Sequence, residues 1–318
     1  MRLAVIGLGH IGRRRLRLLR EMGQDDVVVY DSDPRRCVEV AAEFECVACA
    51  GWIEVWQYRP EAAFICTLPD SHATLASTFL SRGCHVFIEK PLEIIIGHAE
   101  WLVDSAAKYP DRIAMVSCNM RFHPGPAQLK AWLDEGRIGE PLWARFETAS
   151  WLPDWHPGED YVASYSARVG ATLDCGSHEL DLALWMLGPA TLAGAATRKA
   201  DVLGLECDGM AEMLLRHESG VLSTVHASFM ENQYHRSVEV IGTKGRASWS
   251  WEGHFAAVSL DGGVAKPENW RHIVNDIDAM YRAEMAHFLD CAERGVPTCN
   301  PIGQAAETLR ILLEAKHG

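Results

Sequence analysis

The chain has no paired cysteine framework, although cysteine itself is not rare. Its ten cysteines are scattered from Cys37 to Cys299, and Cys46 and Cys49 form the only C-x-x-C pair. A zinc site of that type needs a second pair, so we interpret the single pair as a coincidence and expect no metal ion. Scattered thiols are typical of reduced proteins, not of disulfide-bonded secreted domains. We therefore predict a cytoplasmic protein.

Positive charge and long apolar runs are also lacking. The chain holds 30 Lys and Arg against 43 Asp and Glu, a formal net charge of -13. Nucleic acids and anionic membranes are bound through Lys and Arg side chains that neutralise phosphates, so neither is expected as a partner. The N-terminal stretch MRLAVIGLGHIG is too short for a signal peptide or a membrane span, and it predicts a buried strand. A small-molecule substrate fits these properties better.

The pattern of apolar residues predicts two domains, as does a length of 318 residues, which exceeds the usual size of one hydrophobic core. In residues 1–120, short β-branched runs alternate with segments of helical period, which predicts a doubly wound parallel sheet with helices on both faces. In residues 121–318, longer alternating runs predict an open, mostly antiparallel sheet with one covered face. The fold class is therefore α/β. Helices are expected at about 173–187, 276–294 and 302–316, and the last of them could pack back on the first domain.

Three glycines near the N-terminus predict a dinucleotide site. Gly7, Gly9 and Gly12 form G-x-G-x-x-G between the strand LAVI and a helical segment. In this motif the glycines allow a tight turn, close approach of the backbone to a pyrophosphate, and close packing of helix on strand. Asp31 ends the second strand, 19 residues after Gly12, and is placed to accept hydrogen bonds from the adenosine ribose. The alternative is a tight turn without a ligand.

Asp31 also bears on the choice of cofactor. A carboxylate at the ribose position repels a 2'-phosphate and so favours NAD over NADP. Arg35 and Arg36 follow closely. They could either contact such a phosphate or lie solvated on the helix that begins after Asp33 and Pro34. We predict NAD, with NADP as the less favoured cofactor.

Two further motifs carry groups that could do chemistry. Glu89-Lys90-Pro91 follows the fifth strand, so its lysine would stand at the carboxyl end of a parallel strand, where open α/β sheets bind ligands. Asp174 and His178 have the i, i+4 spacing that places a carboxylate and an imidazole on one helical face. A lone histidine of this kind is more often structural than catalytic, and the combination with the other motifs changes that interpretation.

In this order, the motifs resemble the Gfo/Idh/MocA family, named for glucose-fructose oxidoreductase and inositol dehydrogenase. The resemblance covers nearly the whole chain and includes Thr67-Leu-Pro-Asp-Ser-His72, Asn119-Met-Arg121-Phe122 and Gly242-Thr-Lys-Gly245. The chain departs from the family before Asp174, where a run of two or three glycines is usual and only Gly170 remains.

The resemblance implies roles for individual residues. Lys90 would be the active-site lysine, Asp174 the acid that positions the sugar, and His178 the residue that transfers the proton. Hydride leaves a carbinol carbon only as the hydroxyl proton departs, so a base with a near-neutral pKa is needed, and histidine supplies one. A cationic lysine would stabilise the developing alkoxide. The implied cofactor residues are Gly7, Gly9, His10, Ile11, Gly12, Asp31, Thr67, Pro69, His72, Glu89, Lys90 and Asn119.

A segment rich in aromatic and polar side chains, residues 151–168, is the candidate substrate loop. Aromatic faces stack on the apolar faces of sugar rings, while carboxylates and histidine accept hydroxyl protons, so this mixture suits a polyol. The alternative is an ordered loop whose aromatic side chains are simply buried. The candidate substrate residues are Lys90, Arg121, Trp151, Trp155, Tyr161, Tyr165, Arg168, Asp174 and His178.

The sequence thus predicts an NAD-dependent oxidoreductase that transfers a hydride between a secondary hydroxyl of a sugar, sugar derivative or cyclitol and nicotinamide. Two alternatives stay open: a redox-neutral enzyme of the same fold that retains NAD and cleaves glycosidic bonds, and a non-catalytic sensor that binds the cofactor. The intact Lys90, Asp174 and His178 argue against the sensor. By resemblance, the open sheet would serve as a subunit interface, so a homodimer or homotetramer is expected.

Overall fold

The computed structural model describes residues 1–155, 162, 169–260, 268–271 and 276–317. The chain divides into two compact units. One consists of Met1–Asn119 and Ile277–Glu307, and the other of Met120–Asp276 and Thr308–Gly318. The helices are α1 (His10–Glu21), α2 (Pro34–Glu43), α3 (Trp52–Tyr58), α4 (His72–Ser81), α5 (Ile96–Ala106), α6 (Pro124–Asp134), α7 (Cys175–Leu187), α8 (Asp278–Arg294) and α9 (Ile302–His317).

A parallel sheet of six strands forms the centre of the first unit, in the order β3-β2-β1-β4-β5-β6. Its strands are β1 (Leu3–Ile6), β2 (Val27–Tyr30), β3 (Val47–Ala48), β4 (Ala62–Ile65), β5 (His85–Ile88) and β6 (Ala114–Val116). Every residue of β1, β4 and β5 is buried, as expected for short apolar strands with helices on both faces. Chain order reverses beside β1, and ligands of such sheets bind at the carboxyl ends of the strands at this point.

Helix α8 belongs to the first unit, although it follows the second sheet in the sequence. Its Phe288 packs edge-on against Phe64 of β4 and Phe87 of β5, with ring centroids 5.4 and 5.5 Å apart. The range of 121–318 expected for the second domain therefore differs from this division, because the apolar face of α8 is buried against strands far away in the sequence.

The second unit is built on a sheet of eight strands in the order β14-β13-β12-β11-β7-β10-β9-β8. These are β7 (Pro141–Trp151), β8 (Ala190–Lys199), β9 (Asp208–His217), β10 (Leu222–Ser228), β11 (Met230–Gly242), β12 (Gly245–Ser250), β13 (Phe255–Leu260) and β14 (Glu268–Arg271). All neighbours pair antiparallel except β7 and β10, which run parallel. Helix α7 packs on β7 and β10.

Alternating burial along β9 shows that one face of this sheet is covered and the other is open. The predicted α/β class, with a parallel N-terminal sheet and a mostly antiparallel C-terminal sheet, is confirmed. Among the residues placed in the structure, no helix combines the length and the apolar character needed to cross a membrane.

Candidate active site

The turn between β1 and α1 owes its shape to three glycines with different surroundings. Gly7 has a φ of 86°, and a Cβ there would lie 2.7 Å from the carbonyl oxygen of Cys66. A Cβ on Gly12 would lie 1.9 Å from the carbonyl oxygen of Gly7. Gly9, the N-cap of α1, has no atom within 4 Å of its Cβ position. Packing therefore requires two of the glycines, and the third leaves open space at a helix N-terminus, where phosphate groups bind.

A cavity of about 960 Å³ opens at this turn, which is the size of a small-molecule or cofactor site. Half of the predicted cofactor residues line it, namely Gly7, Gly9, His10, Ile11, Asp31 and Thr67. Its other lining residues are Ile6, Tyr30, Ser32, Arg36, Trp52, Cys66, Leu68, Asp70, Ser71, Thr74 and Leu75. The residues present thus fit a dinucleotide: a glycine turn for the pyrophosphate and a carboxylate for the ribose.

Backbone donors hold the Asp31 carboxylate in place. Oδ2 accepts the N–H of Leu8 at 2.7 Å, and Oδ1 accepts the N–H of Asp33 at 2.8 Å. The guanidinium of Arg36 lies 3.3 Å from Oδ2 and also lines the cavity. Arg35 is not among the lining residues. Of the two arginines considered from the sequence, Arg36 is therefore the one that a bound 2'-phosphate could meet.

The cavity also has an aromatic wall, which was not among the features expected from the sequence. The rings of Tyr30 and Trp52 lie 4.4 Å apart between centroids, and both residues line the cavity. Such faces suit a flat heteroaromatic ring. The position of Tyr30 directly before Asp31 was an available signal. Trp52 follows β3, a strand of two residues, which is too short to show a pattern.

His72 lies inside the protein and does not line this cavity. Its side chain is fully buried, with Nε2 3.0 Å from the carbonyl oxygen of Thr67 and Nδ1 3.0 Å from that of Pro91. Burial lowers the pKa of the imidazole, against the opposing effect of these two contacts. The contacts assign His72 to holding together the two segments that follow β4 and β5, in place of the direct cofactor contact that we expected. Gly12, Pro69, Glu89, Lys90 and Asn119 also lie outside the cavity lining.

A buried ion network fixes the chain beside Lys90. Arg15, which is fully buried, donates from Nε to Glu89 at 2.7 Å and from Nη2 to the hydroxyl of Ser117 at 3.0 Å. Its Nη1 lies 2.8 Å from a carboxylate oxygen of Glu284. Burial raises the pKa of Glu284, against the opposing effect of Arg15. Glu89 thus has a buried ion partner, and its contact with the cofactor stays a prediction. Lys90 itself is partly exposed between buried neighbours.

Asn119, the last residue of the N-terminal segment of the first unit, has an unsatisfied amide oxygen. The residue is 4% exposed, and its Oδ1 has no hydrogen-bond partner. A buried polar atom of this kind costs free energy unless a ligand or water satisfies it. This observation agrees with a ligand contact at Asn119.

In the second unit, Asp174 and His178 share one partly exposed stripe at the start of α7. Asp174 is the N-cap, its N–H donates to Gly170 at 2.9 Å, and its carbonyl accepts the hydroxyl of Ser177 at 2.8 Å. Both are half-buried, whereas residues 171–173, 175–177 and 179–184 are buried. The two predicted catalytic groups are thus the ones that this part of the helix leaves accessible.

Two buried ion pairs anchor the same helix. Glu179 lies 2.8 Å from Arg236, and Asp181 accepts from Arg121 at 2.8 and 2.6 Å. All four side chains are largely enclosed. The contacts of Arg121 hold α7 in place, and its role as a substrate residue stays a prediction.

The aromatic side chains of the candidate substrate loop are described only in part. Trp151 and Trp155 pack against a hydrophobic cluster that includes Leu152, Cys175 and Phe229. This packing agrees with the alternative of buried loop aromatics. Tyr161, Tyr165 and Arg168 lie outside the described residues. Across the described parts of the chain, no group of three or more His, Cys, Asp or Glu side chains could hold a metal ion.

Two protein-family models match the chain. Residues 1–117 match the Gfo/Idh/MocA oxidoreductase family with an NAD-binding Rossmann fold, and residues 127–248 match the Gfo/Idh/MocA C-terminal domain. Among known proteins, the D-apiose dehydrogenase of Paraburkholderia graminis is 28% identical over 314 residues, covering 92% of this chain and 80% of the relative. The scyllo-inositol 2-dehydrogenase (NAD(+)) of Bacillus subtilis is 25% identical over 311 residues, covering 93% and 87%.

Solved structures show the same fold. Levoglucosan dehydrogenase in complex with NADH and levoglucosan superposes with a TM-score of 0.87 at 17% identity, covering 99% of this chain and 96% of that one. An oxidoreductase from Agrobacterium radiobacter in complex with NAD+, L-tartaric acid and magnesium gives a TM-score of 0.85 at 22% identity, with coverages of 99% and 96%.

Proposed function

Because the chain belongs to the Gfo/Idh/MocA oxidoreductase family and carries its NAD-binding Rossmann domain, we propose that it oxidises a secondary hydroxyl of a sugar, sugar derivative or cyclitol. The relatives are dehydrogenases named for a sugar and a cyclitol, both polyhydroxylated compounds. The observation that carries the proposal is the pair of Asp174 and His178, which are the two half-buried residues in the otherwise buried stretch 171–184. A cofactor-binding protein without chemistry has no need of such a pair.

The cofactor would be held by the turn at Gly7 and Gly9 and by the Asp31 carboxylate. Bound NAD supplies the acceptor for a hydride from the carbinol carbon. The residues of the chain have to supply the remainder: release of the hydroxyl proton and orientation of the substrate. Asn119, with its unsatisfied buried oxygen, is a further candidate for a contact to the cofactor.

His178 is the proposed proton acceptor, because a neutral imidazole nitrogen can take the proton of a substrate hydroxyl near neutral pH. Asp174, one helical turn earlier, is proposed to accept a hydrogen bond from a second hydroxyl and so to orient the ring. Lys90 is the proposed cation that stabilises negative charge on the substrate oxygen as its proton leaves. The cytoplasmic location and the homodimer or homotetramer remain predictions.

A substrate screen tests this proposal. Purified protein is mixed with NAD or NADP and with sugars, cyclitols, sugar phosphates or nucleotide sugars, and the absorbance of reduced cofactor is followed. We expect stoichiometric formation of NADH with at least one polyol class. Cleavage of a glycoside without net NADH would instead support the redox-neutral alternative. Binding of NAD without turnover of any compound would support the sensor.

A further inference from the structure

One buried carboxylate holds the segment that precedes Asp174. The N–H and the hydroxyl of Thr172 donate to Oδ2 of Asp208 at 2.7 and 2.6 Å, and the N–H of Ala171 donates to the carbonyl oxygen of Asp208 at 2.8 Å. Thr172 is fully buried, and Asp208 is 8% exposed. Three hydrogen bonds thus tie two successive residues to the first residue of β9.

The approach of this carboxylate depends on Gly170. A Cβ at that position would lie 2.2 Å from Oδ1 of Asp208, so a larger residue would push the carboxylate away. Oδ1 also lies 3.4 Å from Nζ of Lys316, in the last turn of α9, which balances its charge. Gly170 in turn accepts the N–H of Asp174 at 2.9 Å. Residues 170–172 therefore connect Asp208 to the start of α7.

The segment carries side chains where a run of glycines would have none. Ala171 and Thr172 follow Gly170, and the hydroxyl of Thr172 provides a bond to Asp208 that glycine could not make. The carbonyl of Ala171 accepts the N–H of Gly176 in the first turn of α7 at 2.9 Å. A displacement of residues 170–172 would therefore move the first turn of the helix.

We propose that Asp208 is a positioning residue, which fixes residues 170–172 through Thr172 and thereby sets the placement of Asp174 and His178. The part of this inference that concerns catalysis rests on the proposed function. Asp208 acts through the backbone of the segment and not by contact with substrate. Thr172 carries the effect, because its hydroxyl and N–H both bind the carboxylate.

The test follows the imidazole resonances of ¹³C-labelled histidines in the full-length protein, with His178 assigned by the loss of its signal in His178→Asn. Thr172→Val removes one hydroxyl at nearly constant volume, and Asp208→Asn removes the charge. We expect both variants to shift the His178 signal or its pH titration. His217, which contacts the other end of α7 through the carbonyl of residue 188, should not move. Asp201→Asn, at an exposed carboxylate of the same unit, is the matched control and should move neither signal.

The second part of the test is steady-state kinetics of the variants with a substrate that the wild type oxidises. Misplacement of reacting groups by about 1 Å costs up to roughly a hundredfold in rate. We therefore expect Thr172→Val to lower kcat about tenfold or more while the KM for NAD stays unchanged. An unmoved His178 signal in both variants would overturn the proposal, as would a common shift of His178 and His217, which indicates general loosening. If the wild type oxidises no polyol, the proposed function fails, and the resonances still decide whether Asp208 positions the segment.

Discussion

Gly9 and Gly12 are three residues apart and have different roles, one in cofactor binding and the other in packing. A Cβ on Gly12 overlaps the carbonyl oxygen of Gly7, whereas a Cβ on Gly9, which lines the cavity, would meet no atom within 4 Å. We expect Gly12→Ala to lower the free energy of unfolding by about 1–3 kcal/mol, the usual cost of overpacking. Gly9→Ala should leave stability nearly unchanged and weaken NAD binding about tenfold or more, because the methyl group occupies the space of the pyrophosphate. Urea denaturation and fluorescence titration with NAD measure the two effects, and an equal loss of stability in both variants would contradict this division of roles.

Arg36 and Arg35 form a second pair of neighbours with different surroundings. We expect the wild type to bind NAD more tightly than NADP, because Asp31 repels a 2'-phosphate. Arg36, 3.3 Å from that carboxylate, is the group that would support residual NADP binding. Arg36→Ala should therefore weaken NADP binding several-fold and leave NAD binding nearly unchanged, whereas Arg35→Ala should change neither. Titration of both cofactors by intrinsic fluorescence measures this. Tighter binding of NADP than of NAD by the wild type would show that the attraction of Arg36 for the 2'-phosphate exceeds the repulsion by Asp31.

Residues with local signals could be predicted from the sequence, and residues defined by distant partners could not. The glycine turn and Asp31 lie within one continuous β1-α1-β2 segment, so their spacing alone predicts that they line the same cavity. His72 and Glu89 belong to the expected motifs, but their partners, Pro91 and Arg15, come from elsewhere in the chain. No local pattern shows that these two side chains point inward.

At the scale of elements, Arg15 joins α1, the end of β5 and α8. Replacing it with Met would leave the carboxylates of Glu89 and Glu284 buried without their cation, and breaking a buried pair in this way costs about 3–5 kcal/mol. Arg17, two residues later, makes ion pairs near the surface with Glu21 and Asp278. Arg17→Met is the matched control and should cost about 0–1 kcal/mol. Denaturation midpoints of both variants measure the difference. Equal midpoints would mean that the network contributes no more than a surface pair.

Elements with clear periodicity were predicted close to their observed bounds. Helix α7 begins at Cys175, two residues after the predicted start, with Asp174 at the N-cap position. Strand β8 carries no clear sequence signal, since its mostly small, exposed residues show no alternation of apolar and polar positions. The parallel pairing of β7 with β10 and the placement of α8 depend on contacts between distant segments, which periodicity does not encode.

At the scale of the whole molecule, buried histidines make stability depend on pH. Burial lowers the pKa of His72, His85, His217 and His287 below the ordinary 6.5, with a further lowering of His85 by a neighbouring arginine. The unfolded chain therefore binds more protons than the folded one at mildly acidic pH. The contribution of these four histidines to the stability of the fold is therefore complete above about pH 6.5. It is lost as the pH falls through their lowered folded-state pKa values. His226 has the opposite sign, since two glutamates raise its pKa against burial.

Acidification destabilises the fold through the four histidines with lowered pKa values and stabilises it through His226 alone. We therefore expect a lower unfolding temperature at pH 5.5 than at pH 7.5. Each kcal/mol lost corresponds to about 2–4 °C for a domain of roughly 150–250 residues. Thermal unfolding at constant ionic strength measures the shift. An unfolding temperature that is equal or higher at pH 5.5 would contradict the assignment of these histidines as buried neutral groups.

The most direct test of the proposed chemistry is the pH profile of kcat/KM for polyol oxidation, measured for the wild type and for His178→Asn. Asn retains polarity and approximate size but cannot take a proton at neutral pH. We predict that the wild-type rate rises through one ionisation between about pH 6 and 8. The variant should lose this rise and about a hundredfold or more in rate, and still bind NAD. A variant that keeps more than about a tenth of the activity, with the same rise, would contradict the account, and the role of proton acceptor would then pass to another group such as Lys90.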